Sequence, residues 1–265
     1  MIGSVVAVFS FEWKRALTLP RKAWWLVLAA FPVFIAGLVR FTAVNHENGP
    51  EGLWRHLSTW LLFALVPMLV AMLGTLLWTT PAISSELERR SWVYLAVRPH
   101  GATAVLLGKY LAAVTWVIPP ALVGLTIAVP LTGTGDSWRV WRALSGLVFL
   151  SCPAYAAIYL LLGVIFPRRA MVVAVAYTLV FELVVSFIPA VINKMTVQYR
   201  LRALAANWCD LNVFNTRESG AMALIGTEPP WHHIVTLVCL TFVLVAAAVV
   251  VLRAREFSSS ADSDT

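Results

Sequence analysis

Six long apolar runs constrain this chain more than any other feature of its sequence. Each is about as long as the 20 or so helical residues that cross the roughly 30 Å hydrocarbon core of a bilayer. The sequence of 265 residues therefore predicts an all-α, polytopic membrane protein with six transmembrane helices. The predicted crossings lie at residues 23–40, 58–80, 105–130, 143–166, 170–192 and 233–252.

The composition agrees with a membrane protein and argues against two other classes. Hydrophobic residues make up 60% of the chain and charged residues only 12%, which is too little polar material to cover a soluble globule of this size. The net charge of +7 does not indicate a nucleic-acid partner, because the basic residues are scattered at the ends of apolar runs and form no basic face. We interpret them as residues that orient the chain and contact anionic membrane lipid.

Before the first crossing, residues 1–22 are predicted to form a cytoplasmic interfacial helix. Apolar residues recur at helical spacing between Ser4 and Leu19, and the basic residues turn away from them. Pro20 is expected to end this helix, because proline lacks the backbone N–H that a helix interior requires.

The transmembrane domain is predicted to occupy residues 23–253, with a cytoplasmic loop at 81–110 and an outer segment at 193–232. The outer segment begins with V-Q-Y-R-L-R-A-L-A-A, which favours a short amphipathic helix capping the outer face. Residues 254–265 are small and acidic, and we expect them to be a disordered cytoplasmic tail.

Both termini are predicted to be cytoplasmic, in the cell membrane. Twelve of the 20 Lys and Arg residues lie on that side of a six-crossing arrangement, and the long outer segment dilutes the other eight.

Several prolines lie inside the apolar runs, where each removes a helical hydrogen bond. For Pro119, Pro120 and Pro189 two interpretations remain open. These residues either fit the packing of neighbouring helices, or they are bending points for a bundle that alternates its opening.

The polar interruption from Ser84 to Tyr110 separates the second and third apolar runs. Glu86 and Arg90 are four residues apart in the order that favours a helical ion pair, so the sequence predicts a short amphipathic helix that ends before Pro99. Lys109 is expected to reach back to the lipid headgroups at the start of the next crossing.

The same interruption carries a family motif. Its order of paired acids, a hydroxyl residue, an aliphatic run, an Arg-Pro turn and L-L-G-K resembles the cytoplasmic loop of type-2 ATP-binding-cassette (ABC) exporter permeases. One departure is Arg90-Ser91, which stands where that family more often has Gly-Thr. The matching positions are Glu86, Glu88, Ser91, Leu95, Arg98, Pro99, Leu107, Gly108 and Lys109.

The resemblance implies the membrane-spanning subunit of an ABC exporter. It implies a second permease subunit, identical or related, and separate cytoplasmic ATPase subunits that bind ATP and Mg²⁺ and dock on residues 84–110. The implied ATPase-coupling residues are Glu86, Glu88, Arg89, Arg90, Ser91, Arg98, Pro99, Gly108 and Lys109.

The chain shows no catalytic or cofactor motif of its own. Gly108-Lys109 is followed by Tyr110 instead of Ser or Thr, so it does not fit a phosphate-binding loop. Adjacent His232 and His233 are expected to point different ways on a helix, which disfavours a shared metal. The three cysteines have no metal-ligand spacing. We therefore expect a transport protein that is not itself an enzyme.

Glu182 is the most unusual single residue, because it lies near the middle of the fifth apolar run. A carboxylate at mid-bilayer costs about 2.5–3.5 kcal/mol, so it should face the bundle interior and find a partner. One interpretation is a structural acid hydrogen-bonded to Tyr155, Tyr177 or Ser186. The other is a proton- or substrate-binding group, which would make the chain an ion-coupled carrier or channel.

Two further classes of function remain as alternatives. A polytopic enzyme acting on lipids is disfavoured because no group of His, Asp and Glu gathers at one membrane face. A membrane scaffold without transport activity stays open.

Overall fold

The computed structural model describes residues 2–44, 51–88, 101–133, 136–188, 191–209 and 228–254. Within these ranges every regular element is helical and there is no β-strand. Five of the helices are long and apolar enough to cross a membrane, which indicates a membrane-embedded, multi-pass protein. They are Arg21–Thr42, Leu57–Glu86, Gly101–Thr132, Ser137–Ile165 and Pro230–Ala254.

The N-terminal helix α1 covers Ile2–Ala16, and α2 begins almost immediately after it and covers Leu19–Val44. Pro20 therefore lies in the first turn of α2, where a missing N–H leaves no helical bond unmade. The prediction that Pro20 ends the first helix was wrong, because proline is suited to begin the second one.

The second apolar run is a chain of helical segments that change type. An α-helix, α3 (Glu51–Phe63), leads into a π-helix at Ala64–Val70, then α4 (Ala71–Thr79), a 3₁₀ turn at Thr80–Ala82 and α5 (Ser84–Glu88). Pro67 lies inside the π-helix, where the wider turn accommodates a residue that cannot donate to the usual carbonyl.

The third and fourth runs form the two longest helices, α6 (Gly101–Thr132) and α7 (Ser137–Ile165). Helix α6 continues through Pro119 and Pro120, so the helix is not broken at these two residues. It ends at Thr132, and the next residue, Gly133, has a φ of 66°, a left-handed conformation that glycine adopts at little cost.

The fifth run does not form one continuous helix. It consists of α8 (Ala170–Tyr177) and a π-helix at Thr178–Val184, followed by 3₁₀ turns at Val185–Phe187 and Val191–Met195. The 15 helical residues from Ala170 to Val184 extend roughly 22 Å, short of the roughly 30 Å of hydrocarbon. The predicted fifth crossing at 170–192 is therefore not one continuous helix, and its passage through the membrane stays a prediction.

Helix α9 (Val197–Trp208) forms where the outer segment was predicted to be helical. It is not a surface cap, however, because Val197, Tyr199, Leu201 and Arg202 are all buried. It packs against α7 and against α10 (Pro230–Ala254), so it is an internal element of the bundle.

Side-chain contacts show which helix ends lie together. At one end of the bundle, Arg253 near the end of α10 contacts Thr103 at the start of α6, with Nε 3.4 Å from Oγ1. At the opposite end of the bundle, Arg139 lies at the start of α7. Its Nε donates to the carbonyl of Trp208, at the end of α9, at 3.2 Å. The end of α9 therefore lies beside the beginning of α7, and the end of α10 beside the beginning of α6.

Candidate functional site

Lys109 is the centre of a charged joint between three elements. Its ammonium group lies 2.5 Å from a carboxylate oxygen of Glu86 in α5, and it also donates to the carbonyl of Ala82 at 2.9 Å and to Ser85 Oγ at 3.3 Å. Glu12 of α1 is 3.9 Å away. Only 9% of the Lys109 side chain is exposed, so this ion pair is screened less than a surface pair would be.

The position of Lys109 corrects one expectation. Its ammonium group is held inside the bundle instead, because the carboxylate of Glu86 in α5 and the carbonyl of Ala82 both lie within hydrogen-bond distance of it. Sequence spacing alone did not reveal this, since Glu86 and Lys109 are 23 residues apart.

Gly108 allows α1 to approach α6 closely. A Cβ at this position would lie 2.7 Å from Cγ1 of Val8 and 3.2 Å from the carbonyl oxygen of Val5. The Gly-Lys pair therefore has a structural explanation at both positions. The glycine leaves room for the N-terminal helix α1, and the lysine binds α5.

Most of the other predicted coupling residues lie beyond the end of α5. Glu88 is the last residue of that helix. The predicted pair of Glu86 with Arg90, and the continuation of the helix to Val97, lie outside the described residues. So do five predicted site residues, Arg89, Arg90, Ser91, Arg98 and Pro99.

Glu182 is completely buried in the second π-helix, and four donors surround its carboxylate. The hydroxyl of Tyr177 donates to Oε1 at 3.2 Å and that of Tyr155 to Oε2 at 3.5 Å. The backbone N–H groups of Val197 and Gln198 donate at 3.4 and 3.1 Å. Both tyrosines named from the sequence are therefore partners of this carboxylate.

The backbone contacts give Glu182 a role that the sequence did not suggest. Val197 and Gln198 are the first two residues of α9, whose N–H groups have no partner within the helix. The Glu182 carboxylate satisfies these donors and lies at the positive end of the helix dipole. The hydroxyl of Ser186, by contrast, donates to the Glu182 backbone carbonyl instead of the carboxylate.

A second charged group, which sequence analysis missed, joins the start of α10 to α9. Glu228 accepts from Lys194 at 3.1 Å and from Arg200 at 3.3 Å, and lies 2.9 Å from His232 Nδ1. The hydrogen bond from Lys194, with the nearby charges of Lys194, His232 and Arg200, lowers the pKa of the Glu228 carboxyl. This happens although partial desolvation acts in the opposite direction.

The two histidines of this group do not point apart as expected. Nδ1 of His232 and Nδ1 of His233 each lie 3.4 Å from the same Arg200 guanidinium nitrogen. Ligand atoms of Glu228, His232 and His233 lie within 4.8 Å of one another, which is a spacing that a metal ion tolerates. The guanidinium already bonded to both rings opposes a second cation there, so we assign the group no metal.

No protein-family model matches this chain, and no curated protein is significantly similar to it.

Proposed function

We propose that this chain is the membrane-spanning permease subunit of a type-2 ABC exporter. In this proposal it pairs with a second permease subunit, identical or related. A separate cytoplasmic ATPase binds ATP and Mg²⁺ and docks on residues 84–110. The chain itself catalyses no reaction and moves substrate across the cell membrane when the ATPase cycles.

The proposed topology has six crossings, the fifth of them broken. The short helix at Ala170–Val184 rises from the end of α7, and α9 begins beside Glu182 and ends beside the start of α7. The two pieces together would complete one passage, since unwound backbone is tolerated in a membrane where protein encloses it. Both termini would then be cytoplasmic, with α1 lying in the interface.

The observation that carries the proposal is the buried Lys109–Glu86 ion pair. It ties the beginning of the polar segment, in α5, directly to α6 on the other side of that segment. Glu12 adds α1 to the same joint. A force on the segment would therefore be transmitted to the second and third crossings together, because the ion pair connects both of them to it.

Mechanistically, ATP would close the two ATPase subunits, and the docked segment would move with them. Packed helices change between discrete arrangements instead of deforming continuously, so the displacement would tilt α4 and α6 as a unit. The cavity between the two permease subunits would then open outward. The energy for this change would come from differential binding of ATP to the closed arrangement.

The test is ATP-driven transport by the purified complex in proteoliposomes, compared with ATP hydrolysis by the same complex. Glu86→Lys together with Glu88→Lys should abolish the coupling of hydrolysis to transport while membrane insertion is kept. Glu86→Lys alone places two cations together and should therefore lower transport. The swap Glu86→Lys/Lys109→Glu restores opposite charges at the same joint. The swap should recover a large part of the activity lost in the single variant.

Two results would count against the proposal. One is a set of charge variants that transports as the unmodified chain does. The other is solute movement by the chain reconstituted alone, which would favour an ion-coupled carrier.

In that second candidate Glu182 titrates, and Glu182→Gln should stop transport without any ATPase present. The four donors that already enclose Glu182 support a structural role and favour the exporter.

A further inference from the structure

A cavity of about 280 Å³ lies at one end of the bundle, where α7 connects to α8. One side of it is formed by three residues between Thr80 and Ser84, and the other by residues 167–172. The cavity is therefore at the ends of two of the long apolar helices, Leu57–Glu86 and Ser137–Ile165. In a bilayer this is the depth of the lipid headgroups.

Two arginines give this cavity its charge. Arg168 and Arg169 both line it, both are exposed, and no Asp or Glu is among the described residues of the lining. Their side chains form no ion pair or hydrogen bond in the part of the chain that the structure describes. Two guanidinium groups are therefore available to a ligand, and each presents paired donors that match the oxygens of a phosphate.

The other polar groups of the lining can donate hydrogen bonds as well. Residues 170–172 are the first turn of α8, whose backbone N–H groups have no acceptor within the helix. No side chain caps this turn at Arg169, and the helix dipole adds partial positive charge beside the two guanidinium groups. Ser84 supplies a hydroxyl from the opposite side. The cavity therefore favours an anion over a cation or an apolar molecule.

We propose that this cavity binds the headgroup of an anionic phospholipid, with its phosphate beside Arg168 and Arg169. Basic cavities between helices at a membrane surface bind such headgroups. This assignment goes beyond the transport function and requires only that the helices lie in a bilayer.

A lipid suits the cavity better than a soluble phosphate ester, because an exposed apolar stripe leads away from it. Val172 lines the cavity, and 68% of its surface is exposed. Val175 and Leu179 follow at helical spacing on the same side, and both are exposed as well. A ligand whose phosphate is at the arginines therefore has an apolar surface for its acyl chains.

The experiment measures lipid binding to the full chain alone, purified and delipidated in detergent, by native mass spectrometry. Phosphatidylglycerol is titrated against phosphatidylcholine, whose choline cancels the charge of the phosphate, with glycerol 3-phosphate as the soluble probe. We expect preferential binding of phosphatidylglycerol. The double variant Arg168→Gln/Arg169→Gln should weaken it about tenfold, because charge-assisted contacts are lost.

Arg40→Gln/Arg142→Gln is the matched control. Both of these arginines are exposed and lie at the other end of the bundle, Arg40 beside Gly133 and Arg142 on the first turns of α7. This double variant removes the same amount of charge far from the cavity. Phosphatidylglycerol binding should therefore change by less than about twofold.

Val172→Glu is a second variant, which leaves both arginines in place and puts a carboxylate at an exposed position of the lining. It should also weaken phosphatidylglycerol binding, because the carboxylate repels the phosphate. Equal binding of both phospholipids, equal loss in the two double variants, or no loss in either cavity variant would overturn the proposal.

Binding of glycerol 3-phosphate as tight as that of phosphatidylglycerol would assign the cavity to soluble phosphate esters and overturn the lipid assignment. No ATPase is present, so the result is independent of the transport function.

Discussion

At the scale of single residues, the buried carboxylate of Glu182 is stabilised by hydrogen bonds from several elements that enclose it. The side chain is enclosed between the second π-helix, α7 and the first turn of α9. Two hydroxyls and two backbone amides converge on it, and no partner is needed from outside the chain. Such a fully satisfied acid fixes the relative placement of the elements that supply its donors.

Glu182→Ala should lower the free energy of unfolding by about 3 kcal/mol, because it leaves two tyrosine hydroxyls and two helix-terminal amides without an acceptor. Glu182→Gln should cost less, since the amide keeps one acceptor oxygen. The measurement is thermal or denaturant unfolding in detergent. Val180→Ala is the control, because Val180 lies in the same π-helix with 51% of its surface exposed. Equal stability of the Glu182 and Val180 variants would contradict the assigned role.

Glu228 leads to a pH prediction. Its pKa is lowered in the folded chain, so its carboxylate stabilises the fold above the ordinary glutamate pKa, and this contribution is lost as pH falls through the lowered value. Glu228→Gln should therefore reduce the unfolding temperature near pH 7, and the difference from the unmodified chain should shrink toward about pH 3. A difference that is the same at both pH values would show that the charge is not responsible.

Residue identity alone predicted part of these sites. A lone acid in an apolar run indicated that Glu182 faces the bundle interior, and one of its two interpretations was a structural acid bonded to Tyr155, Tyr177 or Ser186. Its two backbone donors were not predictable, because they depend on where the chain turns between residues 184 and 197. Glu12 was also missed, although it is the only acid in α1 and lies next to Trp13.

At the scale of elements, close approaches of helices depend on a few glycines. In α6, a Cβ on Gly124 would lie 2.8 Å from the carbonyl oxygen of Ala29 in α2, which is backbone and cannot move aside. A Cβ on Gly37 in α2, by contrast, would have nothing within 4 Å of it. The two positions are both in long apolar helices and differ mainly in this contact.

Gly124→Ala should destabilise the fold by about 1–3 kcal/mol, because α2 and α6 must separate to make room for the methyl group. Gly37→Ala should be neutral or slightly stabilising, since alanine favours a helix by up to about 1 kcal/mol over glycine. Unfolding in detergent measures both. If Gly37→Ala is the more harmful change, the packing of α2 against α6 is not as described.

Hydrophobic length predicted the positions of most elements, and local backbone chemistry explains the exceptions. Runs of sufficient apolar length gave the positions of the five long helices within several residues. The fifth run was predicted as a crossing at 170–192, and its apolar residues alone did not reveal the π-helix or the extended residue Ile188 that comes after it. Pro20 was assigned to the wrong helix end because the same residue both interrupts one helix and begins another.

At the scale of the whole molecule, the apolar surface fits a bilayer. Large residues such as Phe34, Phe242 and Val250 are more than 60% exposed, whereas the interior around Tyr155 and Tyr159 is fully enclosed. A soluble protein of this size would not leave so many large apolar side chains on its surface. The membrane class was therefore predictable from composition. The expectation of an ATPase partner rests only on the motif in residues 84–110.

The central claim is that an ATPase docks on this polar segment at the cytoplasmic face. The most direct measurement is labelling and cross-linking at Ser91→Cys, in a chain whose three native cysteines are replaced by alanine. A membrane-impermeant thiol reagent should fail to label intact cells and should label opened ones. A bifunctional reagent should join the introduced cysteine to a protein with a phosphate-binding loop. Labelling of Ser91→Cys in intact cells, or the absence of any such adduct in the active complex, would contradict the claim.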